Sequence, residues 1–416
     1  MRRIRSRDFH LLLGANFVSF LGDWILNAGL AYQVYVLTGS TLASAAMVLA
    51  GLLPQVALGS FAGVLADRWD RRRAMIACNL LLALTLLPLL LVRHPNQIPI
   101  VYAVAAAQSA LAALFASAEA ALVPSLVAES ELITANALNG QARDVARLAG
   151  AALGGVLAGI GGIRLITIAD ALTFTVAAGL LMLIRHRAGR AAPSPYEKRF
   201  LREWLEGTRI ALSSRTLRTL LGFVLITGVG EAVMMTLMAP FVRDVLHGGP
   251  AAYGTIMAVQ AIGGLAGGLV ATLVGHRFPA RLLLGWGAVA FGLLDLVLFL
   301  YPLATPALWP AFVIMVVVGV PGALTIAGLV TVFQTATGDA HRGRVFGAIT
   351  ALKAVAMLAG LALAGTLPAR VGIVPVIAVQ GAGFLGAGLL VLVMLSGRSG
   401  SSGAARSPAA STYRTP

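Results

Sequence analysis

Two runs without an acidic or basic residue, Thr41–Ala66 and Ala74–Val92, flank a burst in which six of the seven residues Asp67–Arg73 are charged. Each run is long enough to cross a bilayer core of roughly 30 Å, so the burst is a tight turn between two membrane spans. A turn this short and this basic belongs on the cytoplasmic face. Charged residues make up 11% of the chain and hydrophobic residues 58%, whereas soluble domains carry about 25% charged residues. A soluble fold would have too little polar surface to cover itself. The expected class is an all-α polytopic membrane protein.

Apolar runs bounded by charges or turn residues fall near 10–37, 41–66, 74–92, 98–122, 144–163, 165–184, 219–242, 252–275, 282–303, 306–335, 345–367 and 373–396. They predict twelve transmembrane helices. The basic start Met1-Arg2-Arg3-Ile4-Arg5 leads into an apolar run too long for a signal peptide and without a small-residue cleavage site, so it reads as a retained first span. Residues 185–218 interrupt the pattern and read as a cytoplasmic linker with an amphipathic helix along the membrane surface. Residues 397–416, rich in Gly, Ser, Ala and Pro, read as a disordered tail. With the N-terminus inside, 26 of the 31 Lys and Arg residues fall on the cytoplasmic side and four outside (Arg93, Arg164, Arg243 and Arg370), with Lys353 inside a span. This bias sets both termini in the cytoplasm. The basic residues are scattered through short loops, which favours anionic lipid headgroups over nucleic acid as partners of the +15 net charge. The single cysteine, Cys78, allows neither a disulfide framework nor a thiolate metal site.

The halves repeat. Ala62–Arg72 aligns with Ala271–Arg281, Leu148-Ala149-Gly150 with Leu358-Ala359-Gly360, and Gly22-Asp23 with Gly230-Glu231, at offsets of 208 to 210. A six-helix unit over 1–184 and a second over 219–396, in the same orientation, form one of the known transporter architectures.

The turn Gly63-Val64-Leu65-Ala66-Asp67-Arg68-Trp69-Asp70-Arg71-Arg72 resembles the loop 2–3 signature of the major facilitator superfamily, Gly-x-Leu-x-Asp-Arg-x-Gly-Arg-Arg, with Asp70 in place of the late glycine. Leu21-Gly22-Asp23-Trp24, Leu37-Thr38-Gly39-Ser40, Leu132–Gly140 and Arg342-Gly343-Arg344-Val345-Phe346-Gly347 are similar to the branch of drug exporters that includes macrolide exporters and the enterobactin exporter. The resemblance spans about residues 8–396. It implies two pseudo-symmetric bundles around a central cavity. It also implies a cytoplasmic latch of Gly63, Asp67, Arg68, Arg71 and Arg72, with Asp67 capping the positive start of the eleventh helix near Gly343. Arg147–Gly155 resembles the exporter signature Gly-Pro-x-x-Gly-Gly, with Ala151 where the proline is expected.

Several residues read as functional on physical grounds alone. Asp23 lies mid-span, where an ionised group costs several kcal/mol. Asn16, Ser19, Asp23 and Asn27 follow at helical spacing, so this polar stripe should face a watered cavity. Glu231, its repeat partner, is followed by Met234, Met235 and Met238, flexible side chains suited to varied apolar ligands. The cavity set is therefore Asp23, Asn27, Asn16, Glu231, Met235, Lys353, Asp295 and Glu119, with at least one of Asp23 and Glu231 binding a coupling proton. Glu119 is also placed to pair with Arg143 or Arg147, and Asp170 with Arg164. Gly150, Gly154 and Gly155 form small-xxx-small spacings that let helices approach closely. The chain contains no nucleotide-binding signature and no metal-type cluster. The expectation is a non-enzymatic secondary transporter without cofactors, drawing on a proton gradient in the bacterial cytoplasmic membrane as a monomer. Its partners are membrane lipids, protons and an amphipathic small molecule, drug-like or siderophore-like. Uptake or lipid movement on the same fold, and a transport-inactive scaffold or receptor, are the alternatives.

Overall fold

The computed structural model describes residues 6–68, 70–185, 208–338 and 341–395, the side chains of 58–68 excepted. In lipid every backbone N–H and C=O has to be satisfied within its own segment, and a helix achieves this. The first four helices are α1 (Arg7–Thr38), α2 (Thr41–Arg68), α3 (Arg71–Leu86) and α4 (Ile98–Leu126). Side chains set two of the starts: Ser6 Oγ accepts from Phe9 N at 3.2 Å and Asp70 Oδ1 from Arg73 N at 2.9 Å, as helix N-caps do.

Leu132–Met182 is a helical stretch of 51 residues, about 76 Å if it were straight and far longer than a bilayer core. Gly162, at φ 58° and ψ −149°, breaks it with a backbone conformation that favours glycine. The arms α5 (132–161) and α6 (163–182) run in opposite directions along α1. Gly150 and Gly154 meet Leu21 and Ile25, so α5 is parallel to α1; Gly14, Gly22 and Gly29 meet Leu180, Thr173 and Ile166, so α6 is antiparallel. The helix α5 begins twelve residues before the apolar run expected at 144–163. Its first turns mix Leu132, Ile133 and Leu138 with Asn136, Asn139, Gln141 and Arg143, and the early start places Arg143 and Arg147 well inside the helix.

The second half comprises α7 (Arg215–Pro240), α8 (Pro250–Val274), α9 (Ala280–Leu300), α10 (Trp309–Ala336), α11 (Arg342–Thr366) and α12 (Ile373–Leu395). Among the described residues ten helices are long and apolar enough to cross a membrane. The bent Leu132–Met182 stretch accounts for two passes and α2 adds one, giving twelve. Most of the linker expected at 185–218 and the tail expected at 397–416 lie outside the described residues.

The sequence repeat recurs as repeated packing. Gly22 seats α1 on Asp170 and Thr173 of α6, and Gly230 seats α7 on Gln380 of α12. Gly150 touches Leu21 and Gly360 touches Val229, so α5 sits on α1 as α11 sits on α7. Arg72 donates to the Leu181 carbonyl at the end of α6, and Arg281 to the Leu395 carbonyl at the end of α12. Helix pairs 5–8, 2–11, 2–7, 1–7 and 1–8 join the halves. Between α5 and α8 glycine packs on glycine: a Cβ on Gly155 would lie 2.5 Å from Pro250 O and 2.8 Å from Gly254 Cα. Gly150 and Gly154 thus weld α5 to α1, while Gly155 faces the other half.

The chain enters α1 at one end of the bundle, here the termini end. At the opposite end four hydrogen bonds cross between the halves. Tyr32 Oη donates to Gly248 O (2.8 Å), Thr41 Oγ1 to Gly365 O (3.1 Å) and Arg243 Nη1 to Tyr35 O (3.2 Å), and the Tyr35 hydroxyl donates to the Asp244 carboxylate. Beneath them lies an apolar cluster shared by both halves that includes Tyr32, Ala151, Phe241, Tyr253, Phe299 and Ala364. The end opposite the termini is closed by these contacts.

Candidate functional site

The charged side chains halfway along α1, α5, α7 and α11 sort into three arrangements. The first is a buried knot. Glu119 of α4 accepts from Asn16 Nδ2 at 2.9 Å, from Asn139 Nδ2 at 2.6 Å and from Arg143 Nη2 at 2.7 Å. Asn16 Nδ2 also donates to Asn139 Oδ1 at 3.1 Å. Of the two arginines open to Glu119, the structure selects Arg143, whose guanidinium also lies 4.5 Å from the centre of the Phe20 ring. Asn16 and Glu119 are 0% and 3% exposed, so neither lines open space as the sequence suggested. A closed network with several charge-assisted bonds fixes α1, α4 and α5 relative to one another.

The second arrangement surrounds Asp23. The polar stripe of α1 divides there: Ser19 is buried and donates to Asn79 Oδ1 at 3.2 Å, whereas Asp23 is half-buried and Asn27 exposed. The Asn27 amide donates to the Asp23 carbonyl oxygen at 2.8 Å, leaving the carboxylate uncommitted to it. Asp170 of α6 packs against Gly22, the residue beside Asp23: a Cβ there would clash with Asp170 Oδ1. Asp170 is fully buried. Its Oδ1 accepts from Thr173 Oγ1 at 3.2 Å, and its Oδ2 meets no donor among the described residues. The expected Asp170–Arg164 pair does not form. Arg164 is exposed and lines a cleft of about 230 Å³ with Arg93, Gln33 and Leu37 at the end opposite the termini. The packing of Asp170 on Gly22 was missed, although the repeat carried a hint of it: Gly22 and Gly230 occupy matching positions, as do Asp170 and Gln380.

The third arrangement is an ion pair, Lys353 Nζ on α11 to Glu231 Oε2 on α7 at 2.7 Å, with about a third of each side chain exposed (34% and 31%). A lone lysine in a span needs such a partner. Met235, one turn along α7, is 55% exposed, while Met238 is buried. Asp295 is 1% exposed and accepts from Gln380 Nε2 of α12 at 2.7 Å. It is a packed acid between α9 and α12 and not part of an open wall.

The turn arginines behave differently from the expected latch. Arg71 Nη1 donates to Ala121 O of α4 at 2.8 Å, and Arg72 Nε and Nη2 donate to Leu181 O and Met182 O of α6 at 2.9 and 2.5 Å. Arg72 caps the carbonyl end of α6 in its own half, where a cation suits the negative end of the helix dipole, and Arg71 braces α4 within the same half. Gly63, Asp67 and Arg68 lie in the stretch whose side chains are outside those described. A contact that sequence reasoning did not find is Tyr35–Asp244–Arg243 at the opposite end. There the Arg243 guanidinium lies 5.4 Å from the Tyr35 ring centre, and Arg243 Nε lies 3.8 Å from Asp244 Oδ1.

This arrangement fits a carrier: partly exposed charges midway between two packed halves that meet firmly at one end. Known proteins point the same way. The chain is 27% identical over 406 residues to an uncharacterized MFS-type transporter, YfiS, of Bacillus subtilis, covering 92% of each chain. It is 28% identical over 390 residues to the multidrug efflux pump Tap of Mycobacterium tuberculosis, covering 90% of each. Macrolide efflux protein A of Streptococcus pyogenes is 25% identical over 374 residues, which cover 88% of this chain and 90% of that one. Among solved structures, a bacterial homologue of the iron transporter ferroportin in an inward-facing state superposes with a TM-score of 0.76 at 15% identity, covering 95% of this chain and all (100%) of that one. The nucleoside transporter NupG superposes with a TM-score of 0.75 at 14% identity, covering 94% and 99%. The chain is thus a membrane transporter of the major facilitator type with efflux pumps among its relatives, and not an enzyme. The model of one family matches residues 2–408, and the chain belongs to that family, the transmembrane secretion effectors (MFS_3).

Proposed function

We propose that this chain exports amphipathic small molecules in exchange for protons, by rocking its two six-helix halves about the mid-membrane charges. The observation that carries the reading is the pairing of a half-buried acid, Asp23 on α1, with a one-third-exposed Glu231–Lys353 pair on α7 and α11. These are the equivalent positions of two repeated units, and intramembrane acids of this kind serve proton relays. Asn27 and Met235 stand beside them as exposed, chemically mixed wall. Closure at the end opposite the termini supports a resting state open toward the termini, with the Tyr35–Asp244–Arg243 contact as the gate that must part when the halves rock. The charge bias of the loops supports cytoplasmic termini in a bacterial cytoplasmic membrane, and the efflux relatives support export over uptake. The working unit is a monomer, and the proton gradient takes the place of a cofactor.

The test is accumulation of a fluorescent amphipathic dye in cells with and without the protein. Expression is expected to lower accumulation, and a protonophore to restore it. Lowered accumulation that survives the protonophore would favour uniport or lipid movement, and no effect of expression would favour a scaffold.

A further inference from the structure

Arg147 carries a positive charge halfway along α5 without an ion-pair partner among the described residues. It lies fifteen residues beyond Leu132, about 22 Å along the helix at 1.5 Å per residue, remote from both ends. Arg143, one turn earlier, is neutralised by Glu119. Glu231 is taken by Lys353 and Asp295 accepts from Gln380; Asp144, three residues before Arg147 on α5, is exposed and makes no ion pair with it. Arg147 makes neither a hydrogen bond nor an ion pair with any described residue, and its Nε is buried without an acceptor. Its one polar-to-aromatic contact is with Trp24, whose ring centre lies 5.9 Å from the guanidinium carbon. From there the side chain reaches across to the other half: Nη2 lies 3.6 Å from where a Cβ on Gly264 of α8 would stand. Glycine at that point leaves room beside the guanidinium, and Trp24 is 36% exposed next to it.

An arginine at the centre of a spanning helix is costly to bury in lipid and is retained where a partner or a task requires it. A planar guanidinium beside an exposed indole is suited to one class of ligand: an acidic group for the fork and a flat apolar body for the ring. We infer that Arg147 and Trp24 form a subsite for the anionic head of an amphipathic cargo, a carboxylate, sulfonate or phosphate whose apolar body rests on the indole. The inference builds on the export reading above and narrows its substrate class to organic anions.

Fluorescein and rhodamine 6G share a xanthene body and differ in charge, so their binding to the full-length protein in phosphatidylcholine nanodiscs tests this directly. The expected result is fluorescein binding that weakens at least tenfold in Arg147→Gln and less in Arg147→Lys, with rhodamine 6G binding unchanged or improved and the thermal midpoint preserved. If Arg147→Gln does not fold, Arg147→Lys and Trp24→Leu are read the same way. Fluorescein affinity indifferent to these substitutions, or a preference for rhodamine 6G in the unaltered protein, overturns the subsite and leaves the export reading standing. Lipid phosphate shares the same chemistry. Competition by added phosphatidylglycerol in the unaltered protein, absent in Arg147→Gln, would assign the subsite to lipid and overturn the cargo assignment. If neither dye is bound or exported, the export reading fails and the subsite falls with it.

Discussion

Asp23→Asn is expected to leave a folded, membrane-inserted protein that no longer pumps uphill. In proteoliposomes a pH difference of one unit supplies about 1.4 kcal/mol per exchanged proton, a tenfold concentration ratio of cargo. The unaltered protein should approach or exceed that ratio, and Asp23→Asn should only equilibrate its cargo. The reason is local. Asp23 is half-buried, its carboxylate is not held by Asn27, and Asp170 packs against the adjacent Gly22 with one oxygen lacking a donor. An asparagine fills the same space and cannot take up or release a proton. Asp170→Asn should give an intermediate loss if the two acids share that task, whereas equal pumping by Asp23→Asn and the unaltered protein would remove Asp23 from the coupling machinery.

Glu119→Ala is expected to have the largest effect on stability. Glu119 receives three hydrogen bonds, and its side chain is 4% exposed beside a half-exposed Arg143. Removing it strands two buried amides and a guanidinium inside the first half. Breaking a buried pair by deleting one partner costs about 3–5 kcal/mol, and the outward reach of Arg143 toward solvent places this loss near the lower figure, about 3 kcal/mol. Thermal unfolding in detergent should show a clear fall in midpoint, and Glu119→Gln should recover part of it by still accepting from the amides. A midpoint shared with the unaltered protein would mean that the knot contributes no net stability. Transport defects in Glu119 variants would then have to be explained by coupling.

Hydropathy and charge made the fold legible because each span is a local property: about 20 apolar residues in lipid can hardly be anything but a helix. The repeat was legible for the same reason, since Gly22-Asp23 and Gly230-Glu231 carry their correspondence in order and spacing. What could not be read was lateral. Nothing in the sequence around Lys353 indicates that its partner is Glu231, 122 positions earlier, nor that Glu119 would take Arg143 and leave Arg147 alone. The start of α5 escapes hydropathy because Leu132–Arg143 interleaves apolar residues with Asn136, Asn139, Gln141 and Arg143, and the earlier start places Arg147 mid-span and not at an end. The signature that Arg71 and Arg72 resemble concerns contact between halves, while their hydrogen bonds go to α4 and to the end of α6 in their own half. Asn16 has the spacing of a cavity residue, but spacing gives a face of the helix and not what covers it.

The central claim is that Asp23 and the Glu231–Lys353 pair stand in a water-filled space reached alternately from the two membrane faces. Cysteine accessibility tests it most directly, because the chain has a single cysteine, Cys78, which is buried. In a Cys78→Ser background, Asn27→Cys and Met235→Cys would be labelled with a membrane-impermeant maleimide from each side of sealed vesicles. The account predicts labelling from the side of the termini at rest. Labelling from the opposite side should appear in Asp244→Ala, which removes the acceptor of the Tyr35 hydroxyl. Positions that label from neither side, or only with a lipid-soluble reagent, would mean that these residues face closed protein or lipid, and the transport mechanism would be contradicted.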